Sequence, residues 1–344
     1  MLPNQDTLSS RMSPLEDAYG RRISYLRLSI TDRCNMRCFY CRAGNYRQPI
    51  PNSDILRYEE FLDLMGLARS LGIGKIRLTG GEFFVRREAM GFIERIFHRF
   101  PDLDVRLTSN GTLLTGRIAA LIDLGLGGIN ISLDTLRRDV FERITGQYAL
   151  STVRNSIDEC LAVGLRVKVN TVALAGITEP DLPGFIQLAR ELPLDLRFIE
   201  FMPLGIDTTW TTKHYWPINN LLAHIRKLAE LTPVPRRDTA AGPARMFEIV
   251  GGRGRIGVIT ALSNHFCNSC NRLRISCDGQ LRTCLFSDQE YRLRPLLRHS
   301  RLGLPAVHSV IQRALRQKPI GKKLLEHRRS QAAVCYKVMS AIGG

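Results

Sequence analysis

The sequence lacks any apolar run long enough to cross a bilayer, which takes about 20 residues in a helix. Residues 1–20 also lack the apolar segment of a secretory signal, and the acidic residues Asp6, Glu16 and Asp17 are atypical of a transit peptide. The first absence argues against a membrane-spanning protein, and the second favours a protein that stays in the cytoplasm.

Acidic residues are scarce, since 32 Asp and Glu stand against 49 Lys and Arg and leave a formal net charge of +17 at pH 7. Such an excess predicts a polyanionic partner: a nucleic acid, an anionic surface or a phosphorylated small molecule. Part of the excess lies in residues 290–330, where eleven Lys and Arg accompany only Glu290 and Glu326. A solvated basic helical face is the simplest interpretation of that segment.

The length of 344 residues predicts two domains, or one large barrel with an extension, because single cores stop growing near this size. Runs rich in Val, Ile and Leu alternate with segments of helical spacing, which is typical of βα units with parallel strands. The predicted strands are 26–30, 75–79, 105–108, 128–133, 166–172 and 195–201, and helical spacing occurs at 58–71, 117–124 and 156–163. The expected fold class is therefore α/β.

Polar residues and glycines gather where the predicted strands end. They are Cys34, Gly80-Gly81-Glu82, Ser109-Asn110-Gly111, Asp134, Asn170, Glu200 and Met202. In βα barrels the catalytic residues lie at the carboxyl ends of the strands. We therefore expect the active site at this rim.

After Pro203 the pattern changes to a predicted hairpin, with strands at 245–250 and 256–260 around a glycine-rich turn. A cysteine-rich region and a basic helical tail follow. Residues 252–257 match the dinucleotide fingerprint G-x-G-x-x-G, but a strand follows instead of a helix, so we reject that match. The predicted domains are an extension at 1–22, a partial barrel at 23–203 and a smaller domain at 204–344.

Nine cysteines in a chain without an export signal should stay reduced, and their clustering indicates metal binding. Cys34, Cys38 and Cys41 form a C-x3-C-x2-C group directly after the first predicted strand. Three thiolates hold three irons of a [4Fe-4S] cluster and leave the fourth iron open, whereas a structural zinc site takes four protein ligands. An iron-sulfur cluster is the favoured interpretation.

A second cysteine group has C-x2-C-x13-C spacing and consists of Cys267, Cys270 and Cys284. By itself this spacing fits zinc and an iron-sulfur cluster about equally well. Cys160 and Cys335 stand alone and are expected to be small buried side chains. Cys277 lies between Cys270 and Cys284, and only the family resemblance described below makes a buried thiol outside the ligand set its favoured interpretation.

The first cysteine group, with Tyr40 between its last two members, resembles the signature of radical S-adenosylmethionine (SAM) enzymes. Gly80-Gly81-Glu82 resembles the glycine-rich turn of that superfamily, although Phe83 stands where a proline is usual. Over nearly the whole chain, from Leu26 to the terminal Gly343-Gly344, the sequence resembles the GTP 3′,8-cyclase family, also called the molybdenum cofactor biosynthesis protein A family.

This resemblance implies an incomplete (β/α)6 barrel of radical SAM type, with a C-terminal iron-sulfur domain that covers the open side and binds GTP. It implies SAM and two [4Fe-4S] clusters, held by Cys34, Cys38 and Cys41 and by Cys267, Cys270 and Cys284. The implied SAM contacts are Tyr40, Gly81, Ser132 and Met202, and the implied GTP contacts are Arg27, Arg77, Thr108, Lys168, Arg272 and Arg274. Catalytic roles would fall to Arg272, Arg274, Gly343 and Gly344.

The implied reaction begins with a 5′-deoxyadenosyl radical that removes hydrogen from C3′ of GTP. The carbon radical then attacks C8 of the guanine, and reduction gives 3′,8-cyclo-7,8-dihydro-GTP, the first step of molybdenum cofactor biosynthesis. The implied partners are an electron donor such as flavodoxin or ferredoxin and, downstream, cyclic pyranopterin monophosphate synthase. A homodimer is left open, and no nucleic-acid or membrane partner is expected.

Three other interpretations stay open at this point. The chain could be a different radical SAM enzyme whose auxiliary cluster serves a peptide or another small molecule. The net charge and the C-x2-C spacing also fit a zinc protein that binds nucleic acids. Phe83 is the one hint of a paralogue that keeps its clusters but has lost activity.

Overall fold

A computed structural model describes residues 14–41, 48–205, 211–235, 242–327, 335–337 and 339–343. The first six strands are β1 (Tyr25–Ser29), β2 (Lys75–Thr79), β3 (Asp104–Ser109), β4 (Ile129–Ser132), β5 (Val167–Ala173) and β6 (Asp195–Glu200). The later strands are β7 (Leu231–Pro233), β8 (Arg245–Ile249), β9 (Arg255–Ile259), β10 (Arg272–Ile275), β11 (Gln280–Arg282) and β12 (Tyr291–Arg292).

The helices lie between these strands and after them. They are α1 (Tyr58–Ser70), α2 (Ala89–Arg99), α3 (Ile118–Asp123), α4 (Arg138–Thr145), α5 (Leu150–Ala162), α6 (Leu182–Glu191), α7 (Ile218–Leu228), α8 (Arg294–Leu297), α9 (Gly303–Arg316), α10 (Gly321–His327) and α11 (Met339–Ile342). No helix in the described part of the chain is long and apolar enough to span a membrane.

Strands β1 to β6 lie side by side in chain order, and each pairs with the next in parallel. Helices connect them, because a parallel neighbour can be reached only by a crossover connection. The prediction of an α/β fold with six parallel strands is confirmed, and 75–79 matches β2 at both ends. The predicted helix at 156–163 is the second half of the longer α5.

Side chains alternate along each strand between the face that packs on the helices and the inner face of the sheet. In β5 the residues Val167, Val169 and Thr171 are buried against the helices, while Lys168 and Asn170 are half-buried on the other face. Successive side chains of a strand point to opposite faces, so one face of the sheet packs in the apolar core and the other is left for polar residues. This inner face carries the candidate site.

The C-terminal part of the chain continues the same sheet at both edges. Strand β10 pairs in parallel with β1, and β9 pairs in parallel with β6. The hairpin of β8 and β9 was predicted, but β7 and the strands β10 to β12 were not. The parallel pairing of β10 with β1 joins residues about 250 positions apart, so the cysteine-rich region borders the barrel strands directly.

Candidate functional site

A cavity of about 580 Å³ lies along the inner face of the sheet. Both predicted cysteine groups line it: Cys34, Cys38, Cys41, Cys267, Cys270 and Cys284. The residues predicted to contact SAM and GTP line it as well: Tyr40, Gly81, Ser132, Met202, Arg27, Arg77, Thr108, Lys168, Arg272 and Arg274. The structure therefore brings residues from all parts of the chain to one cavity.

The first cysteine group sits on a loop that neighbouring backbone holds in place. The main-chain N–H of Cys41 donates to the carbonyl of Cys38 at 3.0 Å, and that of Arg37 donates to the carbonyl of Thr145 at 2.7 Å. The N–H of Phe39 donates to the carbonyl of Ile144 at 3.1 Å. The end of α4 thus fixes the middle of the cysteine loop.

Gly81 allows the turn after β2 to pack on the start of this loop. Its N–H donates to the Thr31 carbonyl at 2.8 Å, and a Cβ on Gly81 would lie 2.2 Å from the Arg33 carbonyl oxygen. That separation excludes every residue except glycine. The predicted glycine-rich turn therefore positions the backbone just before Cys34.

Glu82 ties the same turn to the end of β3. Its buried carboxylate accepts hydrogen bonds from the Asn110 N–H at 2.6 Å, the Ser109 hydroxyl at 2.9 Å and the Phe84 N–H at 3.2 Å. Burial raises the pKa of this carboxyl, and the hydrogen bonds only partly oppose that effect. Phe83 is buried in a short 3₁₀ turn beside Glu82. The turn is therefore hydrogen-bonded even though Phe83 stands where a proline is usual in the superfamily.

Tyr40 is held by Asp134, a residue that was predicted to lie at the carboxyl end of a strand but was given no function. The Tyr40 hydroxyl donates to Asp134, whose other oxygen accepts from the Val172 N–H at 2.8 Å. Burial raises the pKa of Asp134 to about 6, against the lowering effect of these two hydrogen bonds. The pair fixes the Tyr40 ring beside the first cysteine group.

The second cysteine group is assembled from separate segments. Cys267 begins a 3₁₀ turn and Cys270 follows it just before β10, whereas Cys284 follows β11. A Cβ on Gly321 would lie 3.1 Å from the Cys284 sulfur and 3.4 Å from the Cys267 sulfur. The absence of a side chain at Gly321 therefore lets the start of α10 pack directly on two of the sulfurs.

Charge favours a thiolate at Cys270, whereas burial raises the pKa of Cys267 and of Cys284. Burial alone would raise the pKa of Cys270, but the cations of Arg272 and Lys318 outweigh it and lower the pKa to about 6. A thiolate at neutral pH is the form that binds iron or zinc. Lys318 was not predicted as a site residue, because its neighbours in sequence gave only the pattern of a basic helix.

The chemistry of both donor sets, three cysteine thiols each, fits an iron-sulfur cluster. In the described ranges, no three His, Cys, Asp or Glu side chains converge so closely that they could hold one ion. A structural zinc site needs four ligands around one point, whereas the thiolates of a cluster bind different irons and stand further apart. Each group offers three sulfurs that face a cavity, which is the arrangement a cluster with one open iron requires.

Several basic residues also line the cavity. Strand register places Arg274 beside Arg27 and Arg27 beside Arg77, so three arginines form a row across β10, β1 and β2. Lys168 on β5 and Arg197 on β6 line the same cavity. Residues opposite each other on neighbouring strands share a face, which is why a row of like charges can form here.

Burial and mutual repulsion lower the pKa values of four cations on this face: Lys168, Arg27, Arg197 and Arg274. Burial first, and then the charge of Arg197, lower the pKa of Lys168 to about 8. Burial lowers the pKa of Arg27 and of Arg197 to about 10 each, and it also holds the pKa of Arg274 well below its usual range. Burial alone would raise the pKa of Tyr25, but the nearby arginines lower it to about 8. The inner face is therefore electrostatically prepared for a polyanion.

Arg197 is a candidate ligand-binding residue that the sequence analysis missed. One terminal nitrogen donates to the Asn170 amide oxygen at 2.6 Å, and its buried Nε has no hydrogen-bond partner among the described residues. The strand at 195–201 was predicted as an apolar run. Alternation with Asp195 and Ile199, which also line the cavity, is the signal that could have placed Arg197 on the inner face.

The C-terminal tail reaches the arginine row. The Gly343 carbonyl accepts from Arg274 at 3.0 Å and from Arg27 at 3.3 Å. Gly343 has φ +71°, and a Cβ there would lie 2.9 Å from the Ser29 Cβ. The prediction that this tail approaches the site agrees with these contacts for Gly343, whereas Gly344 lies outside the described residues.

The prediction for the remaining cysteines is confirmed, whereas the prediction for the basic segment at 290–330 is only partly right. Cys160, Cys277 and Cys335 are buried, as predicted, and they are not among the residues that line the cavity. The basic segment is only partly the solvated face that was expected, because Arg298 pairs with Glu60 at 2.7 Å and Lys318 is 1% exposed. Periodicity could not reveal these tertiary contacts.

Comparison with known proteins agrees with this arrangement. The sequence profile of the Radical SAM superfamily matches residues 28–189, and the profile described as Molybdenum Cofactor Synthesis C matches residues 194–324. The GTP 3′,8-cyclase of Desulforamulus reducens is 38% identical over 329 residues, which cover 95% of this chain and 99% of that protein. The GTP 3′,8-cyclase of Moorella thermoacetica is 40% identical over 334 residues, 96% of this chain and 100% of that protein.

Solved structures support the fold. Streptococcus suis SuiB bound to S-adenosylmethionine has a TM-score of 0.58 at 12% identity, over 81% of this chain and 66% of that chain. SuiB in another crystal structure also has a TM-score of 0.58, at 11% identity, over 83% of this chain and 68% of that chain. At this identity the likeness concerns the architecture alone. The near-complete match to the two cyclases, together with the radical SAM profile, shows that this chain belongs to the GTP 3′,8-cyclase family of radical SAM proteins.

Proposed function

We propose that this protein converts GTP to (8S)-3′,8-cyclo-7,8-dihydroguanosine 5′-triphosphate, the first step of molybdenum cofactor biosynthesis. The observation that carries the proposal is one cavity lined by two groups of three cysteines and by a set of buried cations. A radical SAM enzyme that acts on a nucleoside triphosphate needs a cluster for SAM cleavage and cations for the triphosphate in one cavity. Family membership makes the same assignment over almost the full length of the chain.

The residues that would hold the cofactors are defined by the cavity. Cys34, Cys38 and Cys41 would hold the first [4Fe-4S] cluster, and SAM would bind beside it against Tyr40, Gly81, Ser132 and Met202. Cys267, Cys270 and Cys284 would hold the second cluster. When bound, the first cluster and SAM supply a one-electron cleavage that generates a 5′-deoxyadenosyl radical.

The arginine row and Lys168 would bind the triphosphate. Arg27, Arg77 and Arg274 present planar guanidinium groups, which match phosphate oxygens in pairs. Arg197 adds a buried Nε that has no partner in the described chain. A bound triphosphate would relieve the repulsion among these cations, so part of the binding free energy comes from charges that the fold has already desolvated.

The protein's part in the reaction is positioning and exclusion of water. The Tyr40–Asp134 hydrogen bond orients a ring at the wall of the SAM pocket, and Gly81 sets the backbone before Cys34. The Gly343 carbonyl accepts hydrogen bonds from Arg27 and Arg274, so the tail borders the arginine row. Holding the ribose near the radical source lowers the entropic barrier, and a closed cavity protects reactive intermediates.

An anaerobic turnover assay tests the proposal. Reconstituted protein is incubated with SAM and dithionite, with and without GTP, and 5′-deoxyadenosine and nucleotide products are measured by mass spectrometry. We expect GTP to stimulate 5′-deoxyadenosine formation and to be consumed. If 5′-deoxyadenosine forms while GTP stays intact, the substrate assignment is wrong and another radical SAM reaction takes its place.

The inactive-paralogue interpretation finds little support in the site. All six predicted cysteine ligands line the cavity, and the turn at Phe83 keeps its hydrogen bonds to Glu82. Iron-loaded protein that forms no 5′-deoxyadenosine in the assay would restore that interpretation.

The partners follow from the proposed reaction. We expect flavodoxin or ferredoxin as the electron donor, because each turnover needs single electrons. Cyclic pyranopterin monophosphate synthase would consume the product, and the cytoplasm would keep the nine cysteines reduced. Light scattering of the iron-loaded protein would decide whether it forms a homodimer.

A further inference from the structure

An ion pair near the N-terminus is unusually well buried. The Arg21 Nε lies 2.6 Å from a carboxylate oxygen of Asp17, and the two side chains are 5% and 0% exposed. The other Asp17 oxygen accepts from the N–H groups of Tyr19 at 2.9 Å and Arg21 at 3.1 Å. A carboxylate saturated in this way holds the guanidinium in one orientation.

The outward side of the Arg21 guanidinium contacts the second cysteine group through main-chain atoms. One terminal nitrogen donates to the Cys267 carbonyl at 2.8 Å. The other donates to the carbonyls of Pro319 at 3.2 Å and Lys318 at 3.4 Å. One planar side chain therefore joins the cysteine turn to the segment that precedes α10.

Other contacts tie the same segments together. The Lys318 ammonium donates to the Arg272 carbonyl at 2.6 Å, beyond Cys270 in the chain. Gly321 then packs on the sulfurs of Cys284 and Cys267. At the far side of the turn, the Asn271 carbonyl accepts from the N–H groups of Ser24 and Tyr25, each at 3.2 Å. Segments 17–25 and 318–321 enclose the cysteine turn from two sides.

We propose that the Asp17–Arg21 pair is a positioning element for the second cysteine group, which it holds at the spacing that an iron-sulfur cluster requires. Cys267, Cys270 and Cys284 are not held by one continuous loop, so their relative positions depend on contacts from other segments. Residues 318–321 supply such a contact, because Gly321 packs on the sulfurs of both Cys267 and Cys284 and Arg21 ties this segment to the turn. The proposal rests on the proposed function, since it assumes that this group binds a cluster. Residues 14–22, predicted only as an extension, thereby gain a role in the site.

The test isolates the second cluster. A parent variant, Cys34→Ala/Cys38→Ala/Cys41→Ala, removes the first group, so bound iron then reports the second group alone. Arg21→Gln and Asp17→Asn are added separately, and the rate of iron release to a chelator and the EPR spectrum of the reduced cluster are measured. We expect Arg21→Gln to speed iron release by about tenfold or more and Asp17→Asn by less, as for other residues that orient metal ligands. Arg21→Lys should release iron at a rate between those of the parent and of Arg21→Gln. An ammonium keeps the positive charge, but it cannot donate to three carbonyls in one plane.

A matched control uses an exposed pair of the same spacing. Asp139 and Arg143 form an i,i+4 ion pair in α4, and both side chains are 72% exposed. Arg143→Gln should leave iron release unchanged. In a second parent, Cys267→Ala/Cys270→Ala/Cys284→Ala, Arg21→Gln should leave iron release from the first group unchanged.

The outcomes separate the two proposals. If the parent that lacks the first group binds no iron, the proposed second cluster itself is wrong. If that parent binds iron and Arg21→Gln changes neither its release rate nor its EPR spectrum, the positioning role is wrong. Equal acceleration of iron release in both parents, with a lower melting temperature, would also reject it in favour of general destabilisation.

Discussion

The two cysteine groups line the same cavity but are held in different ways. Cys34, Cys38 and Cys41 share one loop, fixed by backbone hydrogen bonds to the end of α4 and by the Gly81 turn. The second group comes from a turn before β10 and from the chain after β11, with support from segments 17–25 and 318–321. A local motif can carry its own geometry, whereas a dispersed one depends on the whole fold.

The largest effect should come from removing one ligand of each group. Cys38→Ala should abolish 5′-deoxyadenosine formation, because SAM would bind at the first cluster. Cys284→Ala should keep some SAM cleavage while GTP consumption stops. Cys160→Ala, at a buried cysteine outside the cavity, is the control and should keep the iron content of both groups. If Cys38→Ala and Cys284→Ala lose SAM cleavage to the same extent, the two cysteine groups do not have the different functions proposed here.

The next largest effect should follow loss of a buried cation. Arg197→Ala should weaken GTP binding roughly 10- to 100-fold, since a charge-assisted hydrogen bond contributes about 1.5–3 kcal/mol. Without GTP its melting temperature should stay the same or rise, because a buried cation that other cations repel has gone. Isothermal titration and thermal melts measure both. Arg226→Ala, on the exposed side of α7, should change neither.

Unchanged GTP affinity in Arg197→Ala would place the triphosphate elsewhere. A strong loss of stability without GTP would mean that Arg197 serves the fold instead of the ligand.

A smaller loss of turnover should follow from a substitution at Gly343, and a control substitution shows whether lost contacts or backbone strain cause it. Gly343→Ala adds a Cβ that collides with Ser29 and Thr79 at φ +71°, so Gly343 should move away from Arg27 and Arg274. We expect roughly tenfold slower turnover, measured as product formed per chain. Gly164→Ala is the control, because Gly164 has φ +78° with nothing within 4 Å of the added Cβ. Equal effects of the two substitutions would assign the loss to strain alone.

The smallest effect concerns pH. The pKa of Lys168 is about 8, below its usual value, so the free protein loses this charge as pH rises through 8. GTP affinity should fall over that range by at most about tenfold per pH unit. Lys168→Arg should flatten the profile, and Tyr25→Phe shows how much of the fall comes from Tyr25, whose pKa is also about 8. A flat profile in the unaltered protein would remove Lys168 from the binding set.

The sequence predicted the parts of the molecule that are encoded locally. Strand β2, the hairpin of β8 and β9 and the first cysteine group each show a pattern within a few residues, and the structure contains them. The pairing of β10 with β1 was missed because no local pattern specifies a partner about 250 residues away. Lys318 was missed for the same reason, since its burial depends on the cysteine turn.

Arg197 shows a second limit. Its strand looks like a buried apolar run, and only knowledge of which face borders the cavity makes an arginine there significant. The resemblance to a known family supplied the other cations of the site, but physical inference from spacing alone left the second cysteine group undecided between zinc and iron.

The most direct test of the central claim follows an isotope. Protein with both groups loaded with iron is given SAM, dithionite and GTP that carries deuterium at C3′, and 5′-deoxyadenosine is examined by mass spectrometry after one turnover. If GTP lies between the two groups with its ribose at the radical source, deuterium appears in 5′-deoxyadenosine and the nucleotide loses it. Unlabelled 5′-deoxyadenosine, formed while GTP keeps its deuterium, would contradict the account.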